Sequence, residues 1–467
     1  MCGILGIVWK NKECISQKTF RSLLQSQAHR GPDENSCTFF DKCWLGHNRL
    51  SIVDLLSSQQ PMSSKCNRHT IVYNGEIYNY KELGEFLYSH NIDCDQCSDT
   101  SILLHGFLAF GHSFLDKVNG MYSFAIYDNE NHSVTLVRDR LGKKPLFYAK
   151  TDYGLIFSSS LKTISRSGMI NKNISQEAVY IFMKYGFIPE ERCIYSFIKK
   201  VKSSEIMIYE NEQIRKNLYW KVPNKIIYQK NKKIISKIKS IIKSSIKMRI
   251  LQSDVEVGSF LSGGIDSSGV TSIAAKAIKS NKIKAFHIIP DKGEYDESKW
   301  AKKLSVSSSV DLFTQEIKNE ETLNHMRMIV DFMDEPLGDS SALPTFQVSK
   351  YSSKSVKVTL SGEGGDELFL GYDWQRKFIQ THYLRQLSRV LFLKIKNPLS
   401  ILNTKWRRFI VLINLIFLRD EDAYEFLYSG GNKELLFSLL NKKFKKTIEI
   451  LETDLVSNKM STFKGTT

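Results

Sequence analysis

The chain begins Met1-Cys2-Gly3-Ile4-Leu5-Gly6-Ile7-Val8, a nucleophilic residue followed at once by a strand-like apolar run. Removal of Met1 would leave Cys2 with a thiol and a free α-amine. Such an amine titrates at about 7.7–8.0, so it can take the thiol proton without a partner histidine. From these residues alone, a small residue that merely starts a strand is the simpler interpretation. Later segments supply what a nucleophile at this place needs.

Length and composition are those of a globular protein. The 467 residues, 42% of them apolar and 25% charged, are enough for roughly two or three domains. A net charge of +17 is a reason to consider nucleic acid as a binding partner. The lysines are spread along the chain without an aromatic-interleaved basic motif, so a solvated basic surface is the favoured interpretation and nucleic acid is an unexpected partner. The longest apolar run, 409–418, is far shorter than the roughly 20 residues that span a membrane, so we expect no membrane partner.

The cysteine pattern favours a reducing compartment. Eight cysteines are present, and the pair in Cys94-Asp95-Gln96-Cys97 lacks a second pair at zinc spacing. No basic segment precedes the short apolar start, as a signal peptide would require. We therefore expect a cytoplasmic protein with reduced thiols. The sequence leaves homodimerisation open.

Residues 1 to about 165 predict a layered α+β region. The predicted strands are Gly3–Trp9, His69–Tyr73, Tyr122–Asp128, Ser133–Arg138 and Leu155–Ser158, and the predicted helices are Gln17–His29, Asn79–His90 and Ser101–Phe110. Tyr73-Asn74-Gly75-Glu76 places an amide, an unencumbered backbone N–H and a carboxylate at a strand end, which are the groups that an oxyanion hole needs. Taken singly, Asn-Gly is more often a hairpin turn, and Arg49 in its strand-like stretch is more often a surface ion pair.

With Cys2, these segments resemble the class II, N-terminal-nucleophile glutamine amidotransferase domain. The resemblance extends through Asn119–Asp128 and Arg138–Tyr148. It implies two stacked antiparallel sheets between helices, with Cys2 as the nucleophile and with Asn74 and Gly75 as oxyanion donors. The implied glutamine-binding residues are Arg49, Leu50, Ser51, Ile52, Val53, Asn74, Gly75, Glu76 and Asp99. Arg49 would hold the α-carboxylate, and Glu76 and Asp99 the ammonium end. Ser101 and Ser160 stand where this family usually has glutamates.

The second half contains a phosphate-loop pattern. A connecting segment, 191–225, leads to a helix in which isoleucines recur at helical spacing from Ile234 to Ile246, most simply a scaffold helix. The predicted strand Val255–Leu261 then runs into Ser262-Gly263-Gly264-Ile265-Asp266-Ser267-Ser268 and a helix. A glycine turn at a helix N-terminus binds anions through its backbone N–H groups. Further strands, Ala285–Ile289 and Val356–Leu360, alternate with helices and predict a parallel sheet.

This arrangement resembles glutamine-hydrolysing asparagine synthetase from Cys2 to about Tyr372, with a PP-loop ATP pyrophosphatase domain. The implied ATP-binding residues are Leu261, Ser262, Gly263, Gly264, Asp266, Ser267, Ser268, Ile288, Ser361 and Gly362. Asp266 and Asp366 would bind Mg²⁺, and Glu363 would assist formation of an aspartyl-AMP intermediate. Leu304–Asp311 is serine-rich where many relatives carry a histidine. We find none of the family's later motifs, including its catalytic lysine, in 373–467, which predicts a helical tail and a C-terminally incomplete domain.

We therefore expect a glutaminase domain at 1–190, a connection at 191–225 and a synthetase-like domain at 226–467. The expected substrates are glutamine, ATP with Mg²⁺, and aspartate. Glutamine hydrolysis at Cys2 would supply ammonia to an adenylated aspartate and give asparagine, glutamate, AMP and pyrophosphate. The sequence leaves open the same chemistry on another carboxylate, such as a surface-polysaccharide or secondary-metabolite precursor, and a glutaminase-only chain.

Overall fold

A computed structural model describes residues 1–55, 58–224, 227–278, 282–289, 296–317, 319–390 and 407–428. The chain divides into two units, which are described separately. The first unit contains Met1–Asn173, Pro189–Glu335 and Ser341–Ser361, and the second contains Ile174–Ile188, Pro336–Ser340 and the described part of 362–467. None of the described helices is long and apolar enough to cross a membrane.

The N-terminal region of the first unit is built mainly from antiparallel strands. In chain order these are β1 (Gly3–Trp9), β2 (Glu34–Phe39), β3 (Cys43–Arg49), β4 (Met62–Ser63), β5 (His69–Ile77), β6 (Gly120–Asp128), β7 (Ser133–Arg138), β8 (Phe147–Thr151), β9 (Gly154–Ser158), β10 (Lys199–Lys200), β11 (Glu205–Glu210) and β12 (Gln213–Leu218). The helices are α1 (Gln17–Gln25), α2 (Tyr80–Ser89), α3 (Asp99–Phe110), α4 (His112–Leu115) and α5 (Leu161–Arg166), with a short 3₁₀ helix at Ala28–Arg30.

Among the described residues, these strands form two six-stranded sheets, ordered β10-β8-β9-β1-β3-β2 and β12-β11-β7-β6-β5-β4. β1 shows how they stack. Ile4 and Val8 join the core that both sheets share, whereas the alternate residues Leu5, Ile7 and Trp9 join the core under α1 and α5. Both faces of β1 are thus covered, which explains its unbroken apolar run. α2, α3 and α4 cover the outer face of the second sheet, and the predicted layering is confirmed.

Residues 191–225 differ from the expected connecting segment. β10 pairs with β8 in the first sheet, and β11 pairs with β7 in the second. The buried side chains of Val201, Met207 and Tyr209 belong to the core between the sheets. This segment is therefore part of the N-terminal fold at least as far as Leu218, because its apolar residues are needed to complete that core.

The rest of the first unit is a parallel sheet with helices. It begins with α7 (Asn231–Leu251) and continues with β13 (Val257–Phe260), α8 (Ile265–Ala277), β14 (Ile283–Ile289), α9 (Ser298–Ser307), β15 (Val310–Glu316), α10 (Asn319–Phe332), α11 (Ala342–Ser352) and β16 (Val358–Leu360). Among the described residues four strands pair in the order β15-β14-β13-β16, all parallel. Ile246 of α7 packs with Val257 and Ala274, as expected of a scaffold helix.

The second unit is helical where it is described. It contains α6 (Gln176–Tyr185), α12 (Gly365–Phe369), α13 (Asp373–Gln380), α14 (His382–Val390), α15 (Arg407–Phe417) and α16 (Asp420–Tyr428). Leu415, Leu418, Ala423 and Phe426 form its core, with Phe378 packed against them. The predicted helical character of the tail is confirmed in these segments. The rest of the predicted helical tail, residues 391–406 and 429–467, lies outside the described residues.

Candidate active site

A cavity of about 200 Å³ in the first unit collects most of the residues predicted to bind glutamine. Its lining includes Cys2, Arg49, Leu50, Ile52, Val53, Asn74, Gly75, Glu76 and Asp99. Cys2 directly precedes β1, and Arg49 ends β3. The next three follow β3 in a loop, and the others lie in the second half of β5 and at the start of α3. The exception is Ser51, whose backbone N–H donates to Asp33 Oδ2 at 2.9 Å.

Cys2 lies against the backbone of Leu50. The Leu50 N–H donates to Cys2 Sγ over 3.4 Å, and Sγ lies 3.9 Å from the Leu50 carbonyl oxygen. Burial raises the pKa of the Cys2 thiol, and the hydrogen bond from Leu50 acts against that rise. In the chain as given, the α-amine belongs to Met1, and burial lowers its pKa to about 5. The Met1 amine is therefore mostly neutral at pH 7.

Arg49 is almost fully buried at the end of β3. Its Nη1 donates to Glu34 Oε1 at 3.0 Å, and its Nη2 donates to the carbonyl oxygen of Asp54. A guanidinium carries five N–H donors, so these two bonds orient Arg49 and leave other donors for a substrate carboxylate. Arg49 is thus a buried, fixed side chain of the cavity wall and differs from the surface ion pair that the residue type alone favours.

The outer edge of β5 faces the cavity. Tyr73 N–H donates to Gln60 Oε1 at 2.6 Å, and Ile77 N–H donates to Asp99 Oδ2 at 3.3 Å. Backbone N–H groups of alternate residues in a strand point to the same edge, so the Gly75 N–H lies on this edge between them. The hairpin-turn interpretation of Asn-Gly is wrong, because β5 continues to Ile77 and pairs with β6 throughout.

Asn74 and Gly75 bring different groups to this place. Asn74 is fully buried, and its Nδ2 donates to Ser159 Oγ over a long 3.5 Å. Its Oδ1 has no hydrogen-bond partner among the residues that the structure describes. A Cβ on Gly75 would lie 2.3 Å from the Met121 carbonyl oxygen of β6. Glycine is therefore required here by the neighbouring strand, in addition to the close approach to substrate that the sequence suggested.

Two acidic groups share the cavity with a lysine. Asp99 Oδ2 accepts from the Tyr73 hydroxyl at 3.0 Å, yet burial raises the Asp99 pKa to about 6. Burial also raises the pKa of Glu76, while the charge of Lys144 opposes that rise. Lys144 is only 4% exposed, and its burial lowers its pKa. Sequence reasoning missed Lys144, although it lies in the quoted segment Arg138–Tyr148.

Histidine is not available as a base here. His47 lies in β3 with its Nε2 3.0 Å from the Tyr73 carbonyl oxygen, and burial lowers its pKa to about 3. It therefore stays neutral and serves the packing between the sheets.

The parallel sheet contributes one wall of the cavity. Lys357, Val358 and Thr359, at the start of β16, line it together with the N-terminal residues. The Lys357 Nζ donates to Asp33 Oδ2 at 2.7 Å. Sequence reasoning missed this contribution, because nothing local marks a strand residue that will contact a loop more than 300 positions away.

Ser101 and Ser160, which replace the glutamates usual in the resembling family, have defined contacts. Ser101 Oγ accepts from Asp95 N–H at 3.0 Å. Ser160 caps α5 and its hydroxyl donates to Asp334 Oδ1 at 2.7 Å. A carboxylate at position 160 would face Asp334 with like charge, whereas a hydroxyl bonds to it.

The predicted phosphate loop lies between β13 and α8. Leu261 N–H donates to the Phe286 carbonyl oxygen, and the Ser262 hydroxyl bonds Ser267 Oγ at 3.0 Å and accepts from Gly264 N–H at 3.2 Å. Gly263 has φ of +104°, and a Cβ there would lie 2.6 Å from the Glu297 carbonyl oxygen. The loop thus lies at the N-terminus of a 13-residue helix, where backbone N–H groups attract phosphate.

The other predicted ATP and metal residues divide between the two units. Asp266 is exposed in the first turn of α8, Ile288 lies near the end of β14, and Ser361 directly follows β16. Gly362, Glu363 and Asp366 belong to the second unit. No cluster of three or more His, Cys, Asp or Glu side chains that could hold a metal occurs in the described part of the chain. Mg²⁺ usually binds one or two carboxylates together with substrate phosphates, a role that exposed Asp266 fits.

Two known protein families match the chain, one over the antiparallel sheets and the other over the region that contains the parallel sheet. The glutamine amidotransferase domain family matches residues 1–220, and the asparagine synthase family matches residues 237–460. The first match extends through β12, so the end of the family match agrees with the end of the second antiparallel sheet.

Three named proteins are similar over most of the chain. A Methanocaldococcus jannaschii protein, provisionally named glutamine-hydrolyzing asparagine synthetase 2, is 36% identical over 84% of this chain and 79% of its own length. Glutamine-hydrolyzing asparagine synthetase 1 of Bacillus subtilis is 33% identical over 81% of this chain and 60% of its own length. Amidase chyE of Penicillium rubens is 27% identical over 74% and 53%. The match thus covers less than two thirds of the latter two proteins.

Proposed function

The chain belongs to the family of glutamine-hydrolysing asparagine synthetases, and on that basis we propose that it transfers the amide nitrogen of glutamine to an ATP-activated aspartate. The observation that carries the proposal is the cavity in which Cys2 meets the predicted glutamine ligands. Its walls combine a nucleophile, a buried guanidinium and two acidic groups. Glutamine carries the matching features, an amide carbonyl, a carboxylate and an ammonium group.

In the proposed first reaction, Cys2 Sγ attacks the side-chain amide of glutamine. The α-amine that Cys2 gains when Met1 is removed takes the thiol proton. Gly75 N–H and Asn74 Nδ2 stabilise the oxyanion, and the second donor becomes available once Asn74 gives up its long bond to Ser159. Arg49 holds the α-carboxylate while Asp99 and Glu76 hold the α-ammonium group. The protonated α-amine returns this proton to the amide nitrogen, the C–N bond breaks and ammonia leaves, and water then hydrolyses the thioester to glutamate.

In the proposed second reaction, the loop Ser262–Ser268 binds the phosphates of ATP through its backbone N–H groups and hydroxyls. Asp266 would hold Mg²⁺, which would neutralise phosphate charge. Activation is needed because a carboxylate is a poor electrophile, whereas AMP is a good leaving group from an acyl-adenylate. The roles of Asp366 as a second Mg²⁺ ligand and of Glu363 in adenylate formation rest on the resemblance alone.

The test is a product assay on the purified full chain. Glutamine labelled at its amide nitrogen is supplied with ATP, Mg²⁺ and aspartate, and products are identified by mass spectrometry. We expect labelled asparagine together with glutamate, AMP and pyrophosphate. Glutamate formed without AMP, and without any aminated product, would contradict the synthetase half of the proposal.

Another carboxylate is the second candidate for the acceptor. The similarity to a protein named an amidase shows that family members do not all carry the same name. The predicted residues account for glutamine and ATP and do not identify an acceptor pocket. Formation of AMP with a panel of other carboxylates, but not with aspartate, would favour this candidate.

A further inference from the structure

The loop that places the Leu50 N–H against Cys2 is held by residues of the parallel sheet. This loop, Leu50–Asp54, follows Arg49 and places Leu50 N–H on Cys2 Sγ. Its Ser51 N–H donates to Asp33 Oδ2 at 2.9 Å. The same Asp33 oxygen accepts from Lys357 Nζ at 2.7 Å. One carboxylate oxygen therefore joins the cavity loop to the residue that immediately precedes β16.

A second attachment joins the far end of the loop to the same sheet. Asp54 N–H donates to Asp254 Oδ2 at 2.7 Å, and Asp254 N–H donates to the Ile52 carbonyl oxygen at 3.1 Å. Asp254 lies three residues before β13, and β13 pairs directly with β16. The loop is thus bound at both ends by residues at the N-terminal ends of two neighbouring parallel strands.

The charge pattern fits a positioning role. Burial works to raise the pKa of Asp33, but the hydrogen bonds from Lys357 and Ser51 outweigh it and hold the pKa below its usual value. Asp33 is therefore ionised at neutral pH and accepts both bonds at once. Its own N–H donates to the Arg49 carbonyl oxygen at 3.0 Å, so it also fixes the residue before the loop.

We propose that Lys357 is a positioning residue of the glutamine site, holding the Leu50–Asp54 loop through Asp33 so that Leu50 and Arg49 meet Cys2 and the substrate. The inference rests on the proposed function for its effect on catalysis, but not for its effect on the loop. It makes hydrolysis of glutamine in the N-terminal fold depend on a side chain from the synthetase sheet.

The first measurement is hydrogen exchange of the peptide that contains Leu50–Asp54, followed by mass spectrometry in the full chain. Replacing Lys357→Met should speed exchange in this peptide about fivefold, the factor that corresponds to a partly exposed ion pair. K357R should restore slow exchange, because arginine can still donate to Asp33. Unchanged exchange in K357M would overturn the inference.

The matched control is Lys284→Met. Lys284 Nζ pairs with Glu256 Oε2 at 2.7 Å, and both pairs are partly exposed on the same sheet. Lys284 does not contact the cavity loop, so K284M should leave exchange of the loop unchanged. Equal acceleration in both variants would mean general loosening of the sheet and would also overturn the inference.

The second measurement is the steady-state hydrolysis of glutamine. K357M should raise KM for glutamine about fivefold and lower kcat less, since the loop is displaced but the nucleophile remains. The double variant D33N/K357M should be no worse than the poorer single variant, because both changes break one linkage. If the unmodified chain hydrolyses no glutamine, the proposed function fails, and the exchange experiment still decides the role of Lys357.

Discussion

At the scale of the residue, the proposed function makes Cys2 the group from which every glutamine-dependent step starts. We expect Cys2→Ala to lower glutamine-dependent product formation by about 10³-fold or more, because no other thiol lines the cavity among the described residues. Synthesis from added ammonia should continue, since the thiol only releases ammonia. Parallel assays with glutamine and with ammonium chloride measure this. Loss of both activities with an unchanged melting temperature would contradict the claim that Cys2 is needed only for the release of ammonia from glutamine.

We expect the protonation state of Asp99 to make glutamine hydrolysis depend on pH. Its pKa in the folded chain is about 6, above the ordinary 3.8. A protonated Asp99 cannot attract the substrate ammonium group, so kcat/KM for glutamine should fall as the pH drops through about 6. Tyr73→Phe removes a hydrogen bond to the carboxylate and should move this fall to higher pH. A profile of kcat/KM from pH 5 to pH 8 tests it, and identical profiles for the two proteins would contradict the assignment.

The same shift predicts an effect of Asp99 on stability. Because the folded pKa is raised, the folded state gains stability from proton binding below pH 3.8 and loses it as the pH rises through about 6. At pH 8 the ionised, buried group lowers the free energy of unfolding by about 1–3 kcal/mol. Asp99→Asn should therefore stabilise the chain at pH 8 and change it little at pH 4, while raising KM for glutamine. Denaturant unfolding at the two pH values measures the difference.

At the scale of the element, the pairing of β5 with β6 positions the proposed oxyanion donors. Gly75→Ala would press a methyl group on the backbone of β6, so we expect a loss of about 1–3 kcal/mol in the free energy of unfolding and loss of glutamine hydrolysis. Gly269→Ala is the control, because Gly269 lies in α8 with nothing within 4 Å of the added Cβ. That change should leave stability equal or about 0.5–1 kcal/mol higher. A stable, active G75A would contradict this prediction and would show that the backbone of β6 shifts to make room for the methyl group.

Elements were predictable from sequence where their burial follows a local pattern. β1 was predicted over its whole length, Gly3–Trp9, because both of its faces are buried. β2 was missed, since it is an edge strand with half-exposed polar residues whose place is set by pairing with β3. The helix predicted to reach His29 ends at Gln25, where Ser26 Oγ bonds back to the Leu23 carbonyl oxygen. Capping and pairing partners of this kind depend on the folded structure, and a local sequence pattern does not show them.

At the scale of the whole molecule, the motifs predicted residues that line one cavity with Cys2, but not the contacts that join the two sheet systems. Residues near Cys2, Arg49, Asn74 and Asp99 carry their chemistry in short local patterns, and the structure brings them together. The bond from Lys357 to Asp33 spans 324 positions, and the bond from Ser160 to Asp334 spans 174. Charged residues at such separations look like ordinary surface groups in a sequence.

Under the proposed function, β13 and β16 connect the ATP site to the use of glutamine nitrogen. They are only four and three residues long, roughly 10–13 Å, and connect the anchors of the cavity loop to Leu261 and Ser361 at their other ends. Such short paired strands move as one piece, so we expect ATP with Mg²⁺ to accelerate glutamate formation in the unmodified chain and to do so less in K357M. Glutamine would then be spent mainly when an acceptor can be activated. A rate of glutamate formation that does not change with ATP would contradict this expectation. Glutamine would then be hydrolysed even when no acceptor is activated.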